Sequence, residues 1–127
     1  MKNFIDKTIK PFLIIAGLGT CAAGLLVFMP KFTIENIWKL PFAEEYTIFI
    51  QHWGMVVLLV GIFMIICAFK VAWRMPILIF AAFSKSFYAF LYFFYINQTF
   101  SAGFQEGAIM DLVIVIYLLF YFWKGDR

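Results

Sequence analysis

The chain has 127 residues, enough for one domain, and is 65% hydrophobic, 22% aromatic and only 13% charged. Soluble domains carry roughly 25% charged residues, so too little polar surface is present to keep a chain of this size in water. The net charge of +3 comes from scattered Lys and Arg without a basic stripe, which excludes a nucleic-acid partner.

A short basic stretch with Lys2, Lys7 and Lys10 precedes a first apolar segment at 12–29. The pair resembles a signal peptide, but the apolar run continues past Cys21 to Met29, so the segment is expected to stay as a span. Three more apolar segments follow at 46–69, 76–96 and 108–123, the last able to borrow residues 104–107 for its first turn. Each approaches the ~20 residues a helix needs to cross ~30 Å of hydrocarbon. Helix is also forced there, because lipid offers no partner to a free backbone N–H or C=O. The predicted fold is an all-α membrane protein, a single domain over 1–127. Its four-helix transmembrane bundle has antiparallel up-and-down topology.

The connections refine this picture. The stretch 70–75 is so short that the second and third helices must be antiparallel neighbours. Pro76 suits a helical first turn, where its missing N–H costs little. The stretch 30–45 is longer and partly apolar. It predicts a short interfacial helix capped by Thr33, with Ile34, Ile37 and Trp38 towards the membrane and Glu35 and Lys39 towards water. Seven of the ten basic residues fall on one side: Lys2, Lys7, Lys10, Lys70, Arg74, Lys124 and Arg127. By the positive-inside rule both termini are expected in the cytoplasm, in the inner (cytoplasmic) membrane of a cell.

Small residues mark where helices meet. The first segment carries Ala16, Gly17, Thr20, Cys21 and Gly24, and the second Gly54, Gly61 and Ala68. Such faces serve either a dimer or close packing inside one bundle, and packing within the chain is expected. Cys21 and Cys67 lie inside apolar segments with no CxxC pair, and read as small buried residues.

Lys85 is the exceptional residue. It stands near the middle of the third segment, where a charge is costly without a partner. Tyr88, Tyr92 and Tyr95 follow it at steps of three and four, on one helical face that should turn into the bundle. Two further candidates lie in other segments: His52, beside Trp53 near the outer end of the second, and Asp111, early in the fourth. On a rise of 1.5 Å per residue, Lys85 lies ~18 Å below Asn97, while Asp111 lies only ~5 Å into its own helix. That offset predicts no direct ion pair. It predicts instead a hydroxyl-lined or hydrated cleft, graded from Asp111 and His52 at its mouth to Lys85 at its floor. The candidate ligand-binding residues are thus Lys85, Tyr88, Tyr92, His52 and Asp111. No catalytic residue is assigned. A single histidine and no Cys/His cluster leave no metal or haem site, so no cofactor is expected.

The runs QHWGMVVLLVGIFMIICAF and RMPILIFAAFSKSFYAFLYF resemble the middle of small four-helix bacterial inner-membrane proteins of the DoxX-like and BphX-like kind. The likeness rests on His52-Trp53-Gly54, Gly61, Arg74 and Ser84-Lys85, and covers about a third of the chain. It implies a fold and a location, and carries no catalytic residue with it.

The function expected is non-enzymatic: an integral membrane protein that binds a lipid or small amphiphile in the bundle, or serves as an accessory subunit of a membrane complex. Two other readings stay open. One is a small transporter that uses Lys85 as its intramembrane cation. Four helices enclose little volume, so it would work as a homo-oligomer. The other is an enzyme with an outward His52/Asp111 site.

Overall fold

A computed structural model describes residues 2–124 of the chain. Four helical rods run up and down: Asn3–Phe28, Glu44–Phe69, Val71–Phe94 and Thr99–Trp123. Each is long and apolar enough to cross a bilayer, which gives a multi-pass membrane bundle. The first rod joins helix α1 (Lys2–Cys21) through a 3-10 turn, Ala22–Gly24, to α2 (Leu25–Phe28). A short α3 (Pro30–Phe32) and a π-turn, Thr33–Ile37, follow. The other rods are α4 (Thr47–Phe69), α5 (Arg74–Phe94) and α6 (Gln105–Trp123), the last extended backwards by a 3-10 stretch, Thr99–Phe104.

Two contacts bring the chain ends and the short 70–73 connection together. Lys124 pairs with Asp6, and the Lys10 ammonium lies 4.7 Å over the Phe69 ring. This is called the terminal end below. The opposite, loop end holds the connections 29–43 and 95–98.

The first helix starts well before the predicted boundary at residue 12 and carries Pro11 inside it. An interior proline costs a helix about 3 kcal/mol. Burial offsets that cost: Ile5, Ile9, Leu13, Ala16 and Thr20, at steps of three and four, are all buried along one face. Thr8 also shares a 2.6 Å hydrogen bond with the Tyr117 hydroxyl, and Phe12 stacks on the Tyr117 ring. The basic stretch is therefore helical and packed against α6.

The core runs from Ile5, Ile9 and Leu13 through Met64 and Cys67 to Leu78, Ile114 and Leu118. Helix α1 packs closely on α4 through glycine. A Cβ at Gly61 would sit 2.7 Å from the Gly17 carbonyl and 2.7 Å from Cys21 Sγ, so neither chain could approach so near with a side chain there. The small-residue stripe is thus consumed within the bundle. Both cysteines are free thiols, Cys67 fully buried.

The outward surface explains the phenylalanine content. Phe80, Phe83, Phe87, Phe90 and Phe94 form one exposed stripe on α5, opposite the buried Leu78, Ala81, Lys85 and Ala89. Arg74 does more than balance charge at the terminal end. Its guanidinium donates to the Cys67 and Ala68 carbonyls, which close the last turn of α4.

Thr33 departs from the expected cap. Its hydroxyl bonds back to the Met29 carbonyl at 2.7 Å and the Leu25 carbonyl at 3.2 Å, tying the short helix onto the end of the first rod. Ile34 is buried there while Ile37 stays exposed, so the segment folds over the loop end of the bundle.

Candidate functional site: a cavity floored by a buried ion pair

Lys85 projects from the inner face of α5 between two alanines, Ala81 and Ala89, each about one turn away. Those small neighbours leave room for the lysine stem inside the bundle. Its Nζ donates to Asp111 Oδ1 at 2.9 Å and to Thr20 Oγ1 at 2.8 Å. The Thr20 hydroxyl in turn donates to the Ala16 carbonyl at 2.8 Å. Three rods therefore meet at one ammonium. The pair is almost wholly removed from solvent, with side-chain exposures of 4% for Lys85 and 11% for Asp111. A charge so placed is tolerated because its partner neutralises it and a hydroxyl oxygen accepts a second N–H hydrogen bond.

This pairing corrects the depth argument. The sequence reading placed the outer ends of the last two helices level at Asn97 and Ala108. In the structure α5 stops at Phe94, and the fourth rod begins at Thr99 as a 3-10 stretch before α6 proper. Asp111 thus lies deep in its rod rather than one turn from its tip. Gly107 meets the Tyr88 hydroxyl, where a Cβ would come within 2.9 Å, and this fixes the register that sets Asp111 opposite Lys85. Ser84 and Ser86 flank Lys85 in sequence but are exposed, and neither bonds to it.

A cavity of about 520 Å3 rises from this pair towards the loop end. Its wall is mostly apolar, with Leu25, Leu26, Val57, Val60, Leu91 and Met110 among its residues. Lys85, Asp111 and Glu106 are the charged side chains on it, among the described residues. Trp38, Trp53 and Tyr88 add aromatic surface. These three rings and Phe104 touch in a closed circuit. Trp38 lies 5.4 Å from both Trp53 and Phe104, and Tyr88 lies 6.3 Å from Trp53 and 6.4 Å from Phe104. The segment after the π-turn holds Trp38 in place: Lys39 takes a positive φ of 58°, and Gly103 lets the Trp38 carbonyl approach where a Cβ would come within 2.4 Å.

Of the five residues chosen from sequence, Lys85, Tyr88 and Asp111 line this one cavity. His52 does not. It is exposed on the outside of α4, and the neighbouring Trp53 takes the wall position. Tyr92 is half-buried, rests its ring on Phe93 and is also absent from the wall. Tyr92 falls outside because the stripe spaced three and four apart drifts around α5, and the bundle admits only its Lys85–Tyr88 part to the cavity. On α4 the rotation of the helix turns Trp53, one residue on, to the wall and leaves His52 outside. Thr20, Trp38 and Trp53 were not selected from sequence. Thr20 had one legible signal, as the only hydroxyl in the segment 12–29. The tryptophans had none, because only the folded connection brings Trp38 over Trp53.

Comparison with known proteins gives no matching family model, no matching curated protein and no matching solved structure.

Proposed function

We propose that this protein is a non-enzymatic membrane protein that holds a small amphiphile inside its bundle. One observation carries the reading: the cavity of about 520 Å3, apolar along its walls and floored by the Lys85–Asp111 pair. Sites for small molecules commonly have volumes of ~300–1,000 Å3, with mostly apolar walls and a few fixed polar groups. An alkyl or ring body fits against Leu26, Val57 and Met110, while polar atoms find Glu106, Tyr88 or the floor. A transport reading asks more of Lys85, which would have to leave Asp111 and Thr20 in every cycle. An enzyme built on His52 and Asp111 loses its geometry, since His52 is not on the cavity wall.

The same reading places the protein in a bacterial-type inner membrane with both termini in the cytoplasm. The basic residues Lys7, Lys10, Lys70, Arg74 and Lys124 at the terminal end support that orientation. The likeness to DoxX-like and BphX-like proteins supports the location.

Quenching of tryptophan fluorescence by brominated decanol tests the binding. A Trp73→Phe/Trp123→Phe background leaves only the two cavity tryptophans. In zwitterionic nanodiscs the quenching should saturate, and Val57→Phe, which fills the cavity, should remove the saturable part. Quenching that grows linearly with probe in both proteins rejects the reading.

A further inference from the structure

We infer that the amphiphile this cavity takes is a cation, bearing a quaternary or primary ammonium group. The inference rests on the amphiphile-binding reading above and adds the charge of the head. The first argument is a charge count. Lys85 and Asp111 cancel each other wherever their shared proton sits, so the wall's uncompensated charge is the Glu106 carboxylate. An anionic head would meet that carboxylate, and among the described residues the wall offers no cation besides Lys85, which Asp111 already holds.

The second argument is the aromatic circuit. Trp38, Trp53 and Tyr88 line the cavity with ring centroids 5.4 and 6.3 Å apart along the chain of contacts. Clustered ring faces attract alkylammonium groups through their quadrupoles, most strongly where water is excluded. Glu106 stands at the same level. It lies beside Gly107, which meets the Tyr88 hydroxyl, and two residues from Phe104, which closes the circuit. A carboxylate in the first turn of α6 also suits the helix dipole. The helix dipole alone does not account for its place on the wall of a cavity that three rings also line.

Six binding curves test this in zwitterionic nanodiscs, each corrected with empty discs: decyltrimethylammonium, decanol and decyl sulfate on the native protein, then all three on Glu106→Gln. The expected result is that decyltrimethylammonium binds roughly tenfold more tightly than decyl sulfate. Glu106→Gln should remove most of that preference, while decanol still binds saturably. Glu106 is exposed, so the substitution should not disturb the fold. If decyl sulfate binds as tightly as the cation, or the preference survives Glu106→Gln while decanol binds saturably, the charge assignment is wrong and the cavity reading stands. If none of the three binds saturably, the cavity reading falls and takes this inference with it.

Discussion

Lys85 Nζ lies 2.9 Å from Asp111 Oδ1, and this contact joins α5 to α6 near the middle of the membrane span. Through Thr20 the same ammonium reaches the first rod. Breaking one side of a buried pair costs more than losing both, because the survivor is left with an unanswered charge. Lys85→Met and Asp111→Asn should each lower unfolding stability by about 3 kcal/mol. The double variant should recover more than half of the summed loss. Denaturant titration in mild detergent measures all three, and strictly additive losses would show that the two residues are uncoupled.

Thr20 offers a smaller test of the same cluster. Thr20→Val keeps the shape and removes the acceptor for Lys85, at an expected cost of about 1–2 kcal/mol. Thr20→Ser keeps the hydroxyl and should be close to native. A Thr20→Ser variant as unstable as Thr20→Val would mean that packing, not the hydrogen bond, matters at this position.

The α1–α4 seam predicts unequal effects at its glycines. Gly61→Ala puts a methyl against the Gly17 carbonyl and Cys21 Sγ, and should cost about 1–3 kcal/mol as the helices part. A Cβ at Gly19 meets only the Met110 thioether, at 3.1 Å, and that flexible side chain can yield. Thermal melting should therefore rank Gly61→Ala well below Gly19→Ala. Equal melting points would count against the seam.

His52 and Trp53 are neighbours in sequence with different surroundings. His52→Ala should leave stability and amphiphile binding at native levels. Trp53→Ala should weaken binding several-fold, because it opens the wall and removes a ring from the circuit. Comparing the two saturation curves decides the matter, and a loss of binding in His52→Ala would return that residue to the site.

Orientation can be read by labelling. Both native thiols lie within the spans, so an introduced one dominates the signal. A membrane-impermeant maleimide should modify Asn36→Cys in intact cells and Lys70→Cys, exposed between two spans at the terminal end, only after permeabilisation. The reverse pattern would invert the topology.

Much of the architecture was legible locally. The α4 bounds agree with the predicted 46–69 to one residue, because its apolar run ends abruptly at Lys70. The α1 start was not legible, since Lys2, Lys7 and Lys10 mask the Ile5–Ile9–Leu13 face that buries it. At the site, Lys85 announced itself as a charge in an apolar run. Its partner was obscured because residues 99–104 look like a polar loop, yet they form the first turns of the fourth rod.

The sequence alone determined four spans, their helical form and the need for something to answer Lys85. Each follows from a local rule: apolar length against bilayer thickness, and the cost of unpaired polar groups in lipid. Tertiary structure alone decided that Asp111 and Thr20 give that answer, that Trp38 and Trp53 wall the cavity, and that His52 faces away. Those outcomes depend on the axial register of antiparallel rods. Register is set at a distance, by where each rod begins and by contacts such as Gly61 on Gly17 and Gly107 on Tyr88.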